Sequence, residues 1–460
     1  MVVARGFVAA ESGAFFEAVS VATILVILAQ IGTLDAIVWR SSDRGAGLGA
    51  GARDALAMAF LPVAALSLVG CCILLVVAPT LAALLTSARL QDELSQNLRV
   101  LALTIPATAL TGVLLAYSRG AGHMGATNAV EYIAKPIGRL LLAVLAAIAV
   151  SRYLLLGSWI VPAVAGILGT IGILFRGRLP LGLLRTGRWE RTFWRYSTLR
   201  GVAAASQSLI LWLDLLIVGA LLRPREVGTY AAISRYAVAL GLPLAACAMA
   251  VAPLLSDALA RGGLSPSVVY QKTCVWLTLI SAPICTVVAV FAEPLLRIFG
   301  SSFTAGTPAL RVTAAAALIN SATGPLATVV LMGGKSGINL AVSVIGLATN
   351  VAASVVLVLA FGLVGASIAW VLTIVVTNGL GLWIVDTRWS VGVPIGRISQ
   401  IWMFVAAIIA IPSTVAVSLA GTGAGVIVCA LGLAIYGALV TRSGCDWAVL
   451  TAVERPREVT

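Results

Sequence analysis

Two opposite charges lie inside long apolar stretches of this chain, where charged side chains are rare. Asp214 stands in the stretch 200–222, and Arg235 stands in the stretch 230–255. A charged side chain in hydrocarbon costs about 2.5 to 3.5 kcal/mol on insertion scales, so those that remain face a cavity or a partner. Two interpretations stay open: the two residues form a structural ion pair, or Arg235 faces a cavity and binds an anionic ligand there.

A second pair of cations, Lys135 and Arg139, is spaced four residues apart. This spacing places both side chains on one face of a helix. We place that face near the cytoplasmic side of the membrane, where it could receive an anionic group from the inner leaflet. The alternative is that both side chains extend to the lipid headgroups and serve as anchors.

Carboxylates and amides complete the polar groups of the apolar stretches. Glu17 and Asp35 lie near the two ends of the first stretch. Either suits a coupling cation, whereas carboxylates at such ends are ordinarily just hydrated. Amides within spans join helices by hydrogen bonds or contact sugar hydroxyls. Five amides fall in this class: Gln30, Gln207, Asn320, Asn350 and Asn378.

The elements that carry these residues are membrane-spanning helices. Of the 460 residues, 60% are hydrophobic and 10% are charged, values that exclude a water-soluble fold. Backbone amides in hydrocarbon must be satisfied internally, and unbroken apolar runs favour helices over a barrel. The sequence predicts an all-α polytopic membrane protein with about 13 transmembrane helices. Their predicted ranges are 14–38, 55–79, 98–118, 132–150, 153–175, 200–222, 230–255, 273–298, 309–333, 338–361, 363–385, 401–420 and 424–440.

The net charge of +13 indicates contact with membrane lipids, because the basic residues lie in joints between spans, where anionic headgroups attract them. We expect no nucleic-acid partner. We expect the protein to lie in the plasma membrane. Lysine and arginine concentrate in the joints that follow odd-numbered spans, which indicates that these joints and the C-terminus lie in the cytoplasm. The cysteines show no CxxC spacing and His123 is the single histidine, so we expect no metal and no cofactor.

An internal repeat divides the chain into two halves. Residues 11–15 (ESGAF), before the first span, are echoed by residues 226–230 (EVGTY), and Leu98-Arg99-Val100 is echoed by Leu310-Arg311-Val312. An even number of spans separates the copies. This predicts two parallel pseudo-symmetric lobes, related by an axis along the membrane normal, around a central cavity. The predicted parts are an N-terminal lobe (1–175), a cytoplasmic amphipathic connector (176–199), a C-terminal lobe (200–385), an additional helix pair (386–440) and a cytoplasmic tail (441–460).

Several different short motifs are distributed along nearly the whole chain. They are Ala4-Arg5 with Glu11, Gly13 and Phe15; residues 212–219 (WLDLLIVG); residues 228–232 (GTYAA) with Arg235 and residues 252–256 (APLLS); residues 331–335 (LMGGK); and Asn350 with residues 362–369 (GLVGASIA). Their order resembles the polysaccharide-transporter family of lipid-linked oligosaccharide flippases, in the multidrug/oligosaccharidyl-lipid/polysaccharide (MOP) superfamily. A complete span precedes the second copy of the repeat but not the first, so we expect the first helix of a 14-helix fold to be missing.

The resemblance implies a flippase that moves a polyprenyl-diphosphate-linked oligosaccharide or polysaccharide precursor from the inner to the outer leaflet by alternating access. It implies that Arg235 contacts the lipid diphosphate. From their positions in the spans we predict Asp214, Lys135 and Arg139 as further substrate-binding residues. The expected partners are the lipid-linked glycan, membrane lipids, and a glycan polymerase or glycosyltransferases.

Two other functions stay open. One is a cation-coupled multidrug antiporter of the same superfamily, and the other is a transport-inactive scaffold for cell-envelope assembly. An enzyme is not expected, because the external joints are short and poor in the carboxylates that a glycosyl-transfer site needs.

Overall fold

The computed structural model describes residues 9–41, 50–86, 90–121, 124–149, 151–175, 190–261 and 265–442, and these ranges contain helices and no strand. The helices of the first half are α1 (Ala9–Gln30), α2 (Thr33–Ser41), α3 (Ala50–Leu85), α4 (Gln91–Ala102), α5 (Thr104–Gly120), α6 (Met124–Thr127), α7 (Lys135–Ala149) and α8 (Arg152–Phe175). The helices of the second half are α9 (Arg191–Leu221), α10 (Pro224–Arg261), α11 (Pro266–Val290), α12 (Ala292–Arg297), α13 (Thr307–Ala322), α14 (Leu326–Met332), α15 (Ser336–Trp389), α16 (Ile395–Val405) and α17 (Ile411–Arg442).

Ten of the described helices are long and apolar enough to cross a membrane. Two of these segments, Ser336–Trp389 and Ile395–Arg442, are long enough for two crossings each. The first is broken at Gly362 (φ 58°), within α15, and the second, which joins α16 and α17, at Gly421 (φ 84°). Glycine adopts this backbone conformation without the clash that a Cβ would cause. A further crossing is α9, which bends by 44° between Ile210 and Trp212. Counted in this way, the described helices agree with the prediction of about 13 spans.

One predicted boundary of a span is wrong. The fourth span begins at Met124, not at residue 132, because a π-helical turn, Asn128–Ala134, continues the helix into α7. Helix α9 begins at Arg191, inside the range 176–199 that is predicted to be the connector, and residues 176–189 lie outside the described ranges. Within that helix Phe193 is fully buried in the core of the first half. An amphipathic pattern in the sequence does not show whether the apolar face of a helix packs against lipid or against protein.

The cores of the two halves differ in continuity. A single cluster of buried apolar side chains runs through α1 to α5, α7 and α8. The helices α9 to α15 instead contain several separate clusters, one of which joins α9, α10, α13 and α15 while another joins α10, α11, α14 and α15. The last two helices, α16 and α17, pack on α11.

The two halves meet along α1, which packs against α9 and α10. A Cβ added to Gly13 would lie 2.9 Å from the carbonyl oxygen of Pro224 and 3.1 Å from the amide nitrogen of Gly228. Only glycine permits this approach of the two backbones. The two copies of the repeated turn therefore contact each other, as expected for elements on either side of a pseudo-symmetry axis. We call the boundary between α1 and the α9–α10 pair the seam.

Candidate functional site

Arg235, on α10, is half-buried in the seam. Its guanidinium carbon lies 5.1 Å from the ring centroid of Phe16, on α1, and 5.3 Å from that of Trp212, on α9. Its Nε atom is buried and has no hydrogen-bond partner. Cation–π contacts of this kind contribute about 0.5 to 2 kcal/mol. The ring faces do not accept hydrogen bonds from the N–H groups, which lie in the plane of the guanidinium. The hydrogen-bonding capacity of Arg235 is thus available for an anion.

A second arginine, Arg139 of the first half, is connected to the same seam by a series of ring contacts. The guanidinium carbon of Arg139 lies 4.3 Å from the ring centroid of Trp159, and its Nε atom is also buried without a partner. Trp159 meets Phe15 edge to face with centroids 5.7 Å apart, and Phe15 meets Phe16 in the same way at 5.5 Å. Rings therefore connect the two arginines across the seam. We call this set the seam cluster: Arg139, Trp159, Phe15, Phe16, Arg235 and Trp212.

Arg139 lies well inside its helix. The helix begins at Met124, so Arg139 lies roughly 22 Å along it. Its guanidinium contacts Trp159, whose ring in turn meets Phe15, close to the start of α1. The position of Arg139 near the cytoplasmic side stays a prediction.

Lys135 is buried in an ion pair, with its side chain only 4% exposed. Its Nζ atom lies 2.7 Å from Oε2 of Glu131, one turn earlier in the π-helical segment. The other side of the lysine stem covers Gly166, where an added Cβ would lie 2.7 Å from Cε. The sequence analysis did not single out Glu131, which compensates the charge of Lys135 in this pair.

Asp214 is 5% exposed and turns into the second half of the molecule. Its Oδ1 accepts a hydrogen bond from Ser354 Oγ at 3.0 Å, and its Oδ2 accepts one from the Tyr230 hydroxyl at 3.4 Å. Asn350, one turn before Ser354, lies beside the carboxyl group but outside hydrogen-bonding geometry. The ion pair with Arg235 does not form, because the two side chains leave their helices in different directions although their depth is similar.

Glu17 lies in the seam, next to Phe16 in the chain, and is 2% exposed. Its Oε2 atom has no hydrogen-bond partner, and its Oε1 atom occupies the space that a Cβ of Gly219 would need. A carboxyl group without a partner in a membrane interior is costly unless it is protonated or binds a cation. This makes Glu17 the better placed of the two residues predicted to bind a coupling ion.

Asp35 has a different environment at the other end of the seam. Its Oδ2 atom lies 3.0 Å from Nη2 of Arg200, on α9. Beside this ion pair, Ser197 Oγ donates a hydrogen bond of 2.7 Å to the carbonyl oxygen of Ile31, and Gly32 (φ 68°) touches the backbone of Gly201. We call this contact the clasp. Asp35 is already paired within it.

Three of the five predicted amides line one cavity. Its volume is about 370 Å³, and it lies among α9, α10, α13, α14 and α15. Gln207, Asn320 and Asn378 belong to its wall, together with Trp370 and Asn339, which the sequence analysis did not select. Asn350 lies at Asp214 instead, and Gln30 donates to the carbonyl oxygen of Ala109 in the first half. Helical spacing alone gives no signal that these side chains converge.

Comparisons with known proteins agree on a family and a fold. A family model described as "Polysaccharide biosynthesis protein" matches residues 2–308. The solved structure of the lipid II flippase MurJ in an inward closed conformation is similar with a TM-score of 0.74, at 12% identity, covering 96% of each chain. An inward-facing multidrug resistance MATE family transporter of the MOP superfamily gives a TM-score of 0.69 at 15% identity, covering 85% of this chain and 93% of that one. A MOP superfamily transporter from Pyrococcus furiosus gives a TM-score of 0.59 at 15% identity, covering 86% and 91%. No curated protein sequence matches this chain. The expected MOP-superfamily fold is confirmed.

Proposed function

The chain belongs to the polysaccharide biosynthesis protein family, and from this premise we propose that it is a flippase for a polyprenyl-diphosphate-linked oligosaccharide or polysaccharide precursor. It moves this lipid from the inner to the outer leaflet of the cell membrane by alternating access. The lobes rock against each other while the anionic diphosphate stays shielded between them and the isoprenoid tail remains in the bilayer. The C-terminus lies in the cytoplasm.

The observation that carries this proposal is the state of Arg235. Its guanidinium touches both halves of the molecule, through Phe16 and Trp212, and it forms no ion pair with a carboxylate among the described residues. A diphosphate offers charge-assisted, bidentate hydrogen bonds that ring faces do not. Binding of the headgroup would therefore draw Arg235 off the rings and loosen the contact between α1 and the second half. Substrate binding and opening of the seam are coupled in this way.

The other predicted site residues have graded roles in the proposal. Arg139 is the second group for the diphosphate, because its Nε atom is also without a partner. Lys135 and Asp214 already have partners, so they orient the helices that carry the two arginines. Glu17 binds the coupling cation or proton, since its carboxyl group lies in the seam that must open.

Reconstituted vesicles test the proposal directly. A fluorescent polyprenyl diphosphate disaccharide is placed in both leaflets, and the rate at which an external quencher bleaches the protected half is measured. We expect Arg235→Gln to lower that rate at least about tenfold, which corresponds to about 1.4 kcal/mol. Arg311→Gln is the matched control, since Arg311 is exposed and only donates to a backbone carbonyl oxygen, that of Ala289. An equal rate for wild type and Arg235→Gln would contradict the proposal.

A second function is favoured by the buried carboxyl group of Glu17. A cation-coupled multidrug antiporter needs an acidic residue within the membrane that exchanges an ion for a cationic drug. Overexpression that raises resistance to cationic drugs, and loses this effect with Glu17→Gln, would favour the antiporter. A transport-inactive scaffold for cell-envelope assembly, with a polymerase or glycosyltransferases as partners, would instead keep full cellular function after Arg235→Ala and Lys135→Ala together.

A further inference from the structure

The cavity of the second half is lined by neutral side chains. Its wall contains the amides of Gln207, Asn320, Asn339 and Asn378, the hydroxyls of Ser343, Thr373 and Thr377, and the indole of Trp370. No lysine, arginine, aspartate or glutamate is among its described lining residues. The volume of about 370 Å³ is far larger than the space of about 10 to 15 Å³ that one water needs.

Part of this polar lining is used up by hydrogen bonds between helices. Asn378 Nδ2 donates to Asn320 Oδ1 at 3.0 Å and to Thr323 Oγ1 at 2.6 Å, and Gln207 Nε2 donates to Ser343 Oγ at 3.3 Å. These bonds join α13 to α15 and α9 to α15. They explain three of the amides as structural, and they hold the wall in place.

The remainder of the lining is not used in this way. The side chain of Asn339 is 5% exposed and lies on the cavity wall. Thr373 and Thr377 donate to carbonyl oxygens of their own helix, which leaves their hydroxyl lone pairs as acceptors. Polar groups in an apolar surrounding are costly unless they are hydrogen-bonded, so this wall favours an occupant that can hydrogen-bond.

We propose that this cavity binds an uncharged, hydroxyl-bearing sugar unit of the lipid-linked glycan, an inference that rests on the proposed function. Hydroxyl groups both donate and accept, which fits a wall of amides and threonine hydroxyls, while the apolar face of a sugar ring fits the indole of Trp370. A carboxylate on the sugar would find no cation in the wall and would lose its hydration there. The cavity therefore selects neutral sugars.

The cavity is within reach of the proposed diphosphate site. Leu244 lines the cavity and Arg235 lies nine residues earlier on the same helix, roughly 14 Å away along its axis. On the neighbouring helix, Ile210 lines the cavity and Trp212 touches Arg235. A diphosphate bound at Arg235 would place a short oligosaccharide, attached at its end, alongside this cavity.

Binding of three synthetic lipids to the full chain in nanodiscs tests the inference. The probes are a bare polyprenyl diphosphate, the same lipid carrying a neutral N-acetylglucosamine disaccharide, and the same lipid carrying a disaccharide that ends in glucuronic acid. Native mass spectrometry gives the relative affinities. We expect the neutral glycolipid to bind at least about tenfold tighter than the bare lipid, and the acidic glycolipid to bind no tighter than the bare lipid.

Variants locate this preference in the cavity. We expect Asn339→Leu to lower the affinity for the neutral glycolipid to that of the bare lipid and to leave the affinity for the bare lipid unchanged. Gln30→Leu is the control, because it removes a membrane amide of the first half that donates to Ala109. Ala327→Met fills the cavity without removing a polar group, and it decides the matter if Asn339→Leu fails to fold.

The outcomes separate this inference from the proposed function. Equal binding of the bare and neutral lipids, or a preference that survives both Asn339→Leu and Ala327→Met, overturns the sugar site while the flippase proposal stands. Failure of all three lipids to bind, with no effect of Arg235→Gln, overturns the proposed function and the sugar site together.

Discussion

The two halves of the molecule share a repeated entry turn but differ inside. The first half, α1 to α8, has one large apolar cluster and one small one, whereas the second half, α9 to α15, has several clusters of moderate size and a cavity of about 370 Å³ among its helices. A repeated backbone motif therefore does not require a symmetric interior. The cavity of the second half suits a place where a polar ligand is recognised.

The ionisable groups divide by their distance from the seam. At or near the seam Arg139, Glu17 and Arg235 have side-chain atoms that are buried without a partner. Away from it Asp214 turns into the second half and accepts hydrogen bonds from Ser354 and Tyr230. Groups without a partner lie where we propose that the halves separate.

Overpacking is expected to give the largest difference between the halves. Ala59 is fully buried in the core of the first half, and Ala327 lines the cavity of the second. We expect Ala59→Met to lower the free energy of unfolding by about 1 to 3 kcal/mol, because no space is available for the longer side chain. Ala327→Met should be close to neutral. Thermal unfolding of both variants in nanodiscs measures this, and equal losses would show that the second half is packed as tightly as the first.

The contact between Glu17 and Gly219 should give the next largest effect. A methyl group at residue 219 would collide with the carboxyl group, so Gly219→Ala should destabilise the seam and slow transport. Adding Glu17→Ala should restore much of the loss, with a coupling energy of about 1 to 2 kcal/mol. A double-mutant cycle on thermal stability checks this, and strictly additive effects would place the two residues apart.

The two buried carboxyl groups should respond in opposite ways to removal. Asp214→Leu leaves the hydroxyls of Ser354 and Tyr230 without their acceptor, which should cost about 1 kcal/mol. Glu17→Leu removes a group whose Oε2 has no partner, so stability should stay equal or rise. Chemical denaturation of the two variants side by side is the measurement. A larger loss for Glu17→Leu would mean that its carboxyl group has a partner in the membrane.

The clasp should contribute least to stability. The Asp35–Arg200 ion pair is partly exposed, and such pairs contribute about 0.2 to 1 kcal/mol. We expect Asp35→Asn and Arg200→Gln to be nearly equal to each other and to their double variant. High salt should erase the small difference from wild type. A loss of several kcal/mol would show that the pair is shielded from solvent in the membrane.

Much of the fold could be predicted from the sequence, because span length and apolarity are local properties. The short joint at Gly362 and the separation of the final helix pair follow from this kind of pattern. The side-chain directions could not be predicted, because a helix can rotate about its axis without changing depth. This is why the sequence leaves open whether Asp214 and Arg235 form an ion pair, whereas the structure places them in two environments.

The cavity could not be predicted from the sequence, for a related reason. Gln207, Asn320 and Asn339 come from three different helices, and nothing in the spacing along the chain brings them together. The sequence indicates Gln207 and Asn320 separately and gives no signal for Asn339, so only the packing of α9, α13 and α15 shows that they share a wall. Lys135 shows the same limit, since its partner Glu131 lies one residue before the predicted start of the span.

The approach of Gly13 to Pro224 and Gly228 fixes a pivot at one end of the seam. Backbones this close resist sliding, so the rocking that we propose for the two halves would turn about that point. Over a membrane thickness of about 30 Å, a rotation of about 15° would displace the opposite end by about 8 Å. The contacts of the clasp, at the opposite end of the seam, would then separate completely, while the contact at Gly13 would hardly move.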